Sequence, residues 1–320
     1  MFAALSGLAP ARRAKMRRRL REMLPQGAFP ARLPRGITGV EPEVERFGRA
    51  VDAVNRLRPA FVIGTGDLVH DVDRPELWAA FERAAAGIAP DIPAHWLPGN
   101  HDLAEDGGAP VPDALSEFRA RVGDDYYAFS VEDTLFLALN SESLYRPEHM
   151  PQEAARQLEF IEEALTSRRR RESRRVVAFM HTPLFWRDPR SGDAGTTTDG
   201  NRLRLLKLFR AHDVSAVFAG HLHHNRCARD GEMQMVASGP VGFSFLPGGS
   251  GYRVVRVADS GITHDFKSFD SAAASRPDTR CVHGWPAGSD LHASRRAISP
   301  WDLVPGEAGS NGSDCGHPHS

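Results

Sequence analysis

The chain has 320 residues, 41% hydrophobic and 25% charged, with a formal net charge of −1. This is an ordinary globular composition, and the near-zero charge argues against nucleic-acid and membrane partners. Its three cysteines, Cys227, Cys281 and Cys315, form neither a disulfide framework nor a CxxC metal site, which favours a reducing compartment. No apolar run reaches the roughly 18 residues of a membrane span, and the N-terminal apolar stretch precedes its charges, the reverse of a signal peptide. We therefore expect a cytoplasmic protein.

Three segments differ in composition. Residues 1–38 are rich in arginine and contain no aspartate. Residues 271–320 are rich in Ser, Gly, Pro, Asp and His without sustained periodicity, which predicts a disordered tail. Residues 39–270 between them are expected to form the functional domain.

Strands and helices alternate within that domain. Apolar residues at helical spacing predict a helix over 43–57, and Pro59 ends it before the buried strand AFVIGTG. Next come helix ELWAAFERAAAGI, strand PAHWLPG, helix DALSEFRARVG, an antiparallel pair in YYAFSVED and TLFLALNS, and a long helix over 151–171. Strand RVVAFM, helix NRLRLLKLFRAH, strand VSAVFAG and short strands in MQMVASG, YRVVRVAD and ITHDFKSF follow. This order predicts an α/β sandwich with two sheets.

Polar residues follow four of these strands at the point where each strand ends. These residues are Asp67, then Asn100, His101 and Asp102, then His181, then His221 and His223. Ligands in open α/β sheets bind at the carboxyl ends of strands. A glycine precedes three of the four groups (Gly66, Gly99 and Gly220), and glycine permits a sharp turn.

The residue types at these strand ends suit a metal ion. Asp, Asn and His are N/O ligands that favour Mn, Fe, Zn or Co over Ca. His221 and His223 are two positions apart, which in an extended segment points both rings the same way. One carboxylate among imidazoles can bridge two ions roughly 3.5–4 Å apart, an arrangement that activates water and clamps a phosphoryl group. If Asn100 is a ligand, His101 lies beside the substrate, with Asp102 available to orient it.

The motifs GDLVH (66–70), GNHD (99–102), the histidine of FMHTPLF (179–185) and GHLH (220–223) resemble those of the calcineurin-like metallophosphoesterase family in order and interval. The resemblance covers about residues 43–268. It implies a four-layer α/β/β/α sandwich of two mixed sheets. Within the family, the chain looks most like the branch described as complete serine/threonine protein phosphatases.

The resemblance also implies roles for the strand-end residues. The implied metal ligands are Asp67, Asn100, His181, His221 and His223. Asp67 would bridge two divalent ions, with His223 on the first ion and the other three ligands on the second. His101 would stabilise the transition state or protonate the leaving alkoxide. The implied reaction is hydrolysis of a phosphomonoester, on phosphoserine or phosphothreonine of a phosphoprotein, by in-line attack of a metal-bound hydroxide.

Departures from related branches narrow the assignment but leave alternatives open. The sequence has GNHD rather than GNHE and lacks DRG after GD, unlike the phosphatase group that contains calcineurin. His70 stands where purple acid phosphatases carry a tyrosine, and both substrate contact and a structural role remain open for it. A phosphodiesterase acting on cyclic nucleotides is an alternative, because the same metal centre serves both reactions. The oligomeric state is left open.

The family's first motif, Asp-x-His or Asp-x-Gln at the end of a first strand, is absent. Residues 19–39 contain no aspartate, and Leu24-Pro25-Gln26 has leucine where the branch has aspartate. We therefore expect a missing or degenerate first strand, one tightly bound ion instead of two, and low activity. A mis-set start or a frameshift is the favoured explanation over true degeneration. A degenerate, weakly active metal-binding protein is the alternative of a different class.

A basic run and one histidine are expected to have structural roles and no function of their own. The basic run SRRRRESRR (167–175) is expected to be a solvated helix end rather than a nucleic-acid patch. His224 has no role in the family and is expected to be an exposed loop residue.

Overall fold

A computed structural model describes residues 41–104, 107–190, 196–197, 199–244 and 249–269. The Arg-rich segment 1–38 and the tail 271–320 lie outside these residues. The expectations of a missing first strand and of a disordered tail concern those two segments. No helix in the described part is long and apolar enough to cross a membrane.

The helices and strands follow the order expected from the sequence. The helices are α1 (Glu41–Leu57), α2 (Pro75–Ala85), α3 (Pro112–Arg121), α4 (Ser141–Tyr145), α5 (Pro151–Thr166), α6 (Arg168–Glu172) and α7 (Asp199–Ala211). The strands are β1 (Val62–Thr65), β2 (Ala94–Leu97), β3 (Tyr127–Val131), β4 (Thr134–Ala138), β5 (Arg175–Phe179), β6 (Val214–Ala219), β7 (Arg226–Asp230), β8 (Met233–Ala237), β9 (Gly251–Ala258) and β10 (Gly261–Ser268). The short elements α4 and β7 were not anticipated.

The expected long helix over 151–171 is broken at Ser167. This residue has extended backbone (ψ 163°) and ends α5, and its hydroxyl accepts a hydrogen bond from the backbone N–H of Arg170 at 3.1 Å. Ser167 is thus the N-cap of α6, a position that serine favours. No residue of α6 is buried, and Arg170 donates to the carbonyl of His212 at 2.7 Å. These contacts agree with a solvated helix end.

The main sheet has six strands in the order β3-β4-β5-β6-β8-β7. Strands β4, β5, β6 and β8 run parallel, and the edge strands β3 and β7 are antiparallel to their neighbours. Two further pairs complete the described strands, β1 with β2 in parallel and β9 with β10 antiparallel. The expected second mixed sheet is therefore present as two separate pairs among the described residues.

The core confirms the four-layer α/β/β/α sandwich. Alternate residues of β4–β6 face opposite sides, because side chains alternate along a strand. On one side, Leu137 joins Ile161 of α5 and Phe209 of α7 in one buried cluster. On the other side, Phe136 packs in a cluster with residues of β1, β2, β9 and β10. Helices α1–α3 cover these small sheets through a third cluster that contains Trp78.

Cys227 on β7 is disulfide-bonded. The spacing of the three cysteines gave no indication of this bond. The sequence argument for a reducing compartment is therefore not supported.

Candidate metal centre

The loops after β1, β2, β5 and β6 bring four of the five expected ligands together at one edge of the sheets. His181 Nε2 lies 3.4 Å from Asp67 Oδ2 and 3.0 Å from Asn100 Oδ1. His221 Nδ1 lies 3.0 Å from the same Asn100 oxygen and 3.2 Å from His181 Nε2. Four residues distant in sequence thus present donor atoms to a common point.

The backbone around this point adopts conformations that side-chain-bearing residues rarely use. Asp67, His221 and His223 have φ of 54°, 62° and 56°. Left-handed conformations in non-glycine residues cost energy and cluster at functional sites. The segment containing His221 and His223 is therefore not extended, so the argument that alternation along a strand points both rings the same way does not apply to it.

The glycines beside the site act in two ways. Gly66 has φ of 90° and makes the turn expected from the sequence. Gly99 instead permits close approach, because an added Cβ would collide with the backbone nitrogen and carboxylate of Asp67. The small size of Gly99, and not an unusual φ, allows the two loops to meet.

Backbone carbonyls fix the orientation of three imidazoles. The Nδ1–H groups donate from His181 to Thr65 at 2.8 Å, from His101 to His70 at 2.7 Å and from His223 to Phe243 at 2.9 Å. A carbonyl can only accept, so Nδ1 carries the proton in each ring, and a neutral ring of this tautomer has its lone pair on Nε2. Such outer hydrogen bonds typically orient metal-binding histidines.

The charges of the site suit metal binding. Burial opposes ionisation of Asp67, but the His181 charge outweighs it and holds the pKa of Asp67 well below its usual value. Burial also disfavours the His181 cation, yet the Asp67 carboxylate raises the pKa of His181 to about 9. Burial lowers the pKa values of His221 and His223 to about 3. The set thus contains one carboxylate and two neutral imidazoles, and His181 is protonated without a metal.

The donor set fits a divalent cation. In the part of the chain that the structure describes, no group of three or more His, Cys, Asp and Glu side chains is arranged to hold a metal ion. The cluster here includes the Asn100 amide oxygen, which lies 3.0 Å from donor atoms of both His181 and His221. Such separations are the ligand-to-ligand spacings expected around an ion with bonds of about 2.0–2.2 Å. Asp67 and His223 are the described residues that remain for a first ion.

Asp102 does not have the contacts expected of a residue that orients His101. Its carboxylate accepts from the backbone N–H groups of Leu68 at 3.0 Å, Val69 at 2.9 Å and Gly99 at 2.8 Å. Asp102 therefore ties the loop after β1 to the loop after β2. The His101 ring is held by a backbone carbonyl instead.

His70 lies directly against His101. Their ring centroids are 4.8 Å apart with planes inclined by 31°. The Nδ1 atom of His70 is buried and has no hydrogen-bond partner within the described chain. Its backbone carbonyl fixes His101, so His70 has a structural contact, and substrate contact through its ring remains a prediction.

A buried polar group behind His181 was not anticipated. Ser141 Oγ accepts from the backbone N–H groups of His181 at 3.1 Å and Thr182 at 2.8 Å. Glu142 Oε1 in turn accepts from the hydroxyls of Ser141 at 3.0 Å and Thr182 at 2.7 Å. The polar run NSES directly after the apolar strand TLFLAL is the sequence signal that could have identified this support.

His224 is half-buried, which corrects the expectation of an exposed loop residue. Its Nε2 has no hydrogen-bond partner among the described residues, and burial lowers the pKa of the ring to about 4. The ring meets the edge of Trp186 at a centroid distance of 6.4 Å.

Comparison with known proteins agrees with this geometry. The model of the calcineurin-like phosphoesterase family matches residues 41–225. The serine/threonine-protein phosphatase CPPED1 of Danio rerio is 35% identical over 235 residues, covering 71% of this chain and 75% of that protein. The chain belongs to the calcineurin-like phosphoesterase family, and within it to the phosphatases.

Solved structures show the same fold at low identity. Purple acid phosphatase PPD1 from yellow lupin aligns with a TM-score of 0.52 and 15% identity, over 71% of this chain and 47% of that one. GAP50, the anchor in the inner membrane complex of Plasmodium, aligns with a TM-score of 0.53 and 14% identity, over 72% and 81%. At this identity the likeness concerns the fold alone.

Proposed function

We propose that this chain hydrolyses phosphoserine or phosphothreonine monoesters with the help of a divalent cation. The observation that carries the proposal is the convergence of His181, His221 and Asn100 within 3.0–3.2 Å of one another, with the Asp67 carboxylate beside them. The substrate class is supported by the relatives named as serine/threonine-protein phosphatases.

The proposed ligand set determines what the centre can do chemically. Asp67, Asn100, His181 and His221 would hold one cation, and His223 would face a first cation together with Asp67. A cation bound there polarises phosphoryl oxygens and lowers the pKa of water toward neutrality.

In this proposal His101 acts on the substrate. Its backbone N–H donates to Asp67 Oδ1 at 3.0 Å, so this histidine is fixed relative to the proposed bridging carboxylate. Its Nδ1 is engaged by the His70 carbonyl, which leaves Nε2 to contact the phosphoryl group or to protonate the leaving oxygen.

Metal dependence provides the test. The full chain is stripped with a chelator, reloaded separately with Mn, Fe, Zn or Co, and assayed on an aryl phosphate and on phosphoserine peptides. We expect hydrolysis to disappear on stripping and to return with at least one ion. Activity that survives exhaustive chelation would overturn the proposal. Faster hydrolysis of a bis-aryl phosphate or cyclic AMP would replace the monoesterase by a phosphodiesterase.

A second candidate is a metal-binding protein with little activity. It is favoured by the absence of Asp-x-His or Asp-x-Gln before α1 in the sequence. Stoichiometric binding of an ion, with no turnover of any of these esters, would support this candidate against the enzyme.

A further inference from the structure

Two arginines and a histidine surround Trp186. The guanidinium carbon of Arg187 lies 4.2 Å from the indole centroid, and that of Arg226 lies 5.6 Å from it. His224 meets the same ring at 90°. Positive groups over an indole face are attracted by the ring quadrupole, so Trp186 fixes the position of both guanidinium groups.

This cluster lies at the same sheet edge as the metal centre. His224 directly follows the proposed ligand His223. Arg226 opens β7 and pairs in register with Ala237, the last residue of β8. Because β8 runs parallel to β6, the carboxyl end of β8 is at the edge where β6 delivers His221.

Arg226 carries a charge that no described residue neutralises. Its guanidinium donates at 3.4 Å to the carbonyl of its neighbour Asn225, and it forms no ion pair with the residues the structure describes. Burial and the nearby charge of Arg187 lower the pKa of Arg226. Half-buried arginines usually face an anion, because an uncompensated charge is costly away from water.

We propose that Arg226, held against Trp186, binds a second anionic group of the substrate, a carboxylate side chain flanking the phosphorylated residue of a peptide. This inference rests on the proposed phosphatase function. The planar guanidinium matches a carboxylate through paired hydrogen bonds. The neighbouring Arg187, which lies against the same indole ring, adds a second positive charge close to Arg226.

Selectivity between two peptides tests the subsite. Two phosphoserine peptides differ only in having Glu or Gln at the flanking positions, and the ratio of their kcat/KM values is measured for each variant. Wild type should prefer the Glu peptide, and R226Q should lower the ratio by about tenfold, mainly through KM. R226K should retain part of the preference. The control R256Q removes an equal charge at an exposed position of β9 and should keep the wild-type ratio.

A binding measurement separates this inference from the proposed function. The dephosphorylated Glu peptide, fluorescently labelled, is titrated with the full chain without turnover. Affinity that falls in R226Q and not in R256Q supports the subsite even if the chain hydrolyses nothing. A wild-type ratio of one, or equal peptide affinity in all three proteins, overturns the subsite while hydrolysis of an aryl phosphate still supports the phosphatase.

Discussion

His181 Nε2 lies 3.2 Å from His221 Nδ1, although the two residues are 40 positions apart in sequence. Two imidazole nitrogens this close need a proton or a cation between them, because their lone pairs repel. The Asn100 oxygen, 3.0 Å from each, adds a third electron-rich atom. This relationship supports the proposed metal site, whose occupancy can be tested residue by residue.

Replacing His221 should remove metal and activity together. His221→Ala deletes one of the donor atoms around the second ion, so we expect loss of bound metal by elemental analysis and loss of aryl phosphate hydrolysis. The exposed His149→Ala is the matched control and should retain both. A His221→Ala protein with wild-type metal content would contradict the assigned ligand set.

Replacing His101 should separate chemistry from metal binding. Its ring is held by the His70 carbonyl rather than by the donor cluster. We expect His101→Ala to keep its metal and to lose about 10²–10⁴-fold in rate, the scale of a general acid or a fixed electrostatic group. Turnover at the wild-type rate would show that the role is wrong.

Adding one methyl group at Gly99 should disrupt the site. In Gly99→Ala the new Cβ would overlap the backbone and carboxylate of Asp67, and overpacking typically costs about 1–3 kcal/mol. Thermal unfolding and metal content should both fall. Gly48→Ala in α1, where nothing lies within 4 Å of the added atom, should be neutral or stabilising. Equal behaviour of the two variants would contradict the close approach of the loops.

Removing the charge of Asp102 should act on stability. Its two oxygens accept hydrogen bonds from three backbone N–H groups, and Asp102→Asn leaves one oxygen to accept these bonds. The expected loss is roughly 1–3 kcal/mol in the free energy of unfolding, measured by denaturant titration. Asp52→Asn, at an exposed position of α1, serves as control. Unchanged stability with strongly reduced turnover would restore the role first expected for Asp102, the orientation of His101.

Metal stoichiometry should reveal the consequence of the missing first motif. In the proposed ligand set the second ion would keep Asp67, Asn100, His181 and His221, whereas among the described residues Asp67 and His223 would remain for the first. We predict about one tightly bound ion per chain after dialysis, with low activity. Two tightly held ions with full phosphatase activity would show that another residue replaces the missing aspartate. Translating the upstream DNA in all frames tests the hypothesis of a mis-set start.

The hydrophobic periodicity of the sequence, with the glycine and proline residues that end its elements, was sufficient to predict most of the fold. The apolar strands with their glycine-bounded ends and the amphipathic helices were predicted correctly, because these patterns report which face of each element is buried. The break at Ser167 was missed because the charged segment RRRRE after it also consists of good helix formers, and the serine acts through its cap.

The sequence by itself determined which residue types follow the strands that lead to the proposed centre. Asp67, Asn100, His181 and His221 could be identified because each follows a predicted strand, and strand ends of one sheet meet at a common edge. Only the tertiary structure decided how these side chains are held. Atoms from distant segments are needed for four features of the site. These are the left-handed backbone of His221 and His223, the carbonyls that fix three histidines, the Ser141 support behind His181 and the contacts by which Asp102 ties two loops together. Apart from the polar run NSES, which contains Ser141, no local pattern indicates such contacts, since they form only when the packed layers bring the loops together.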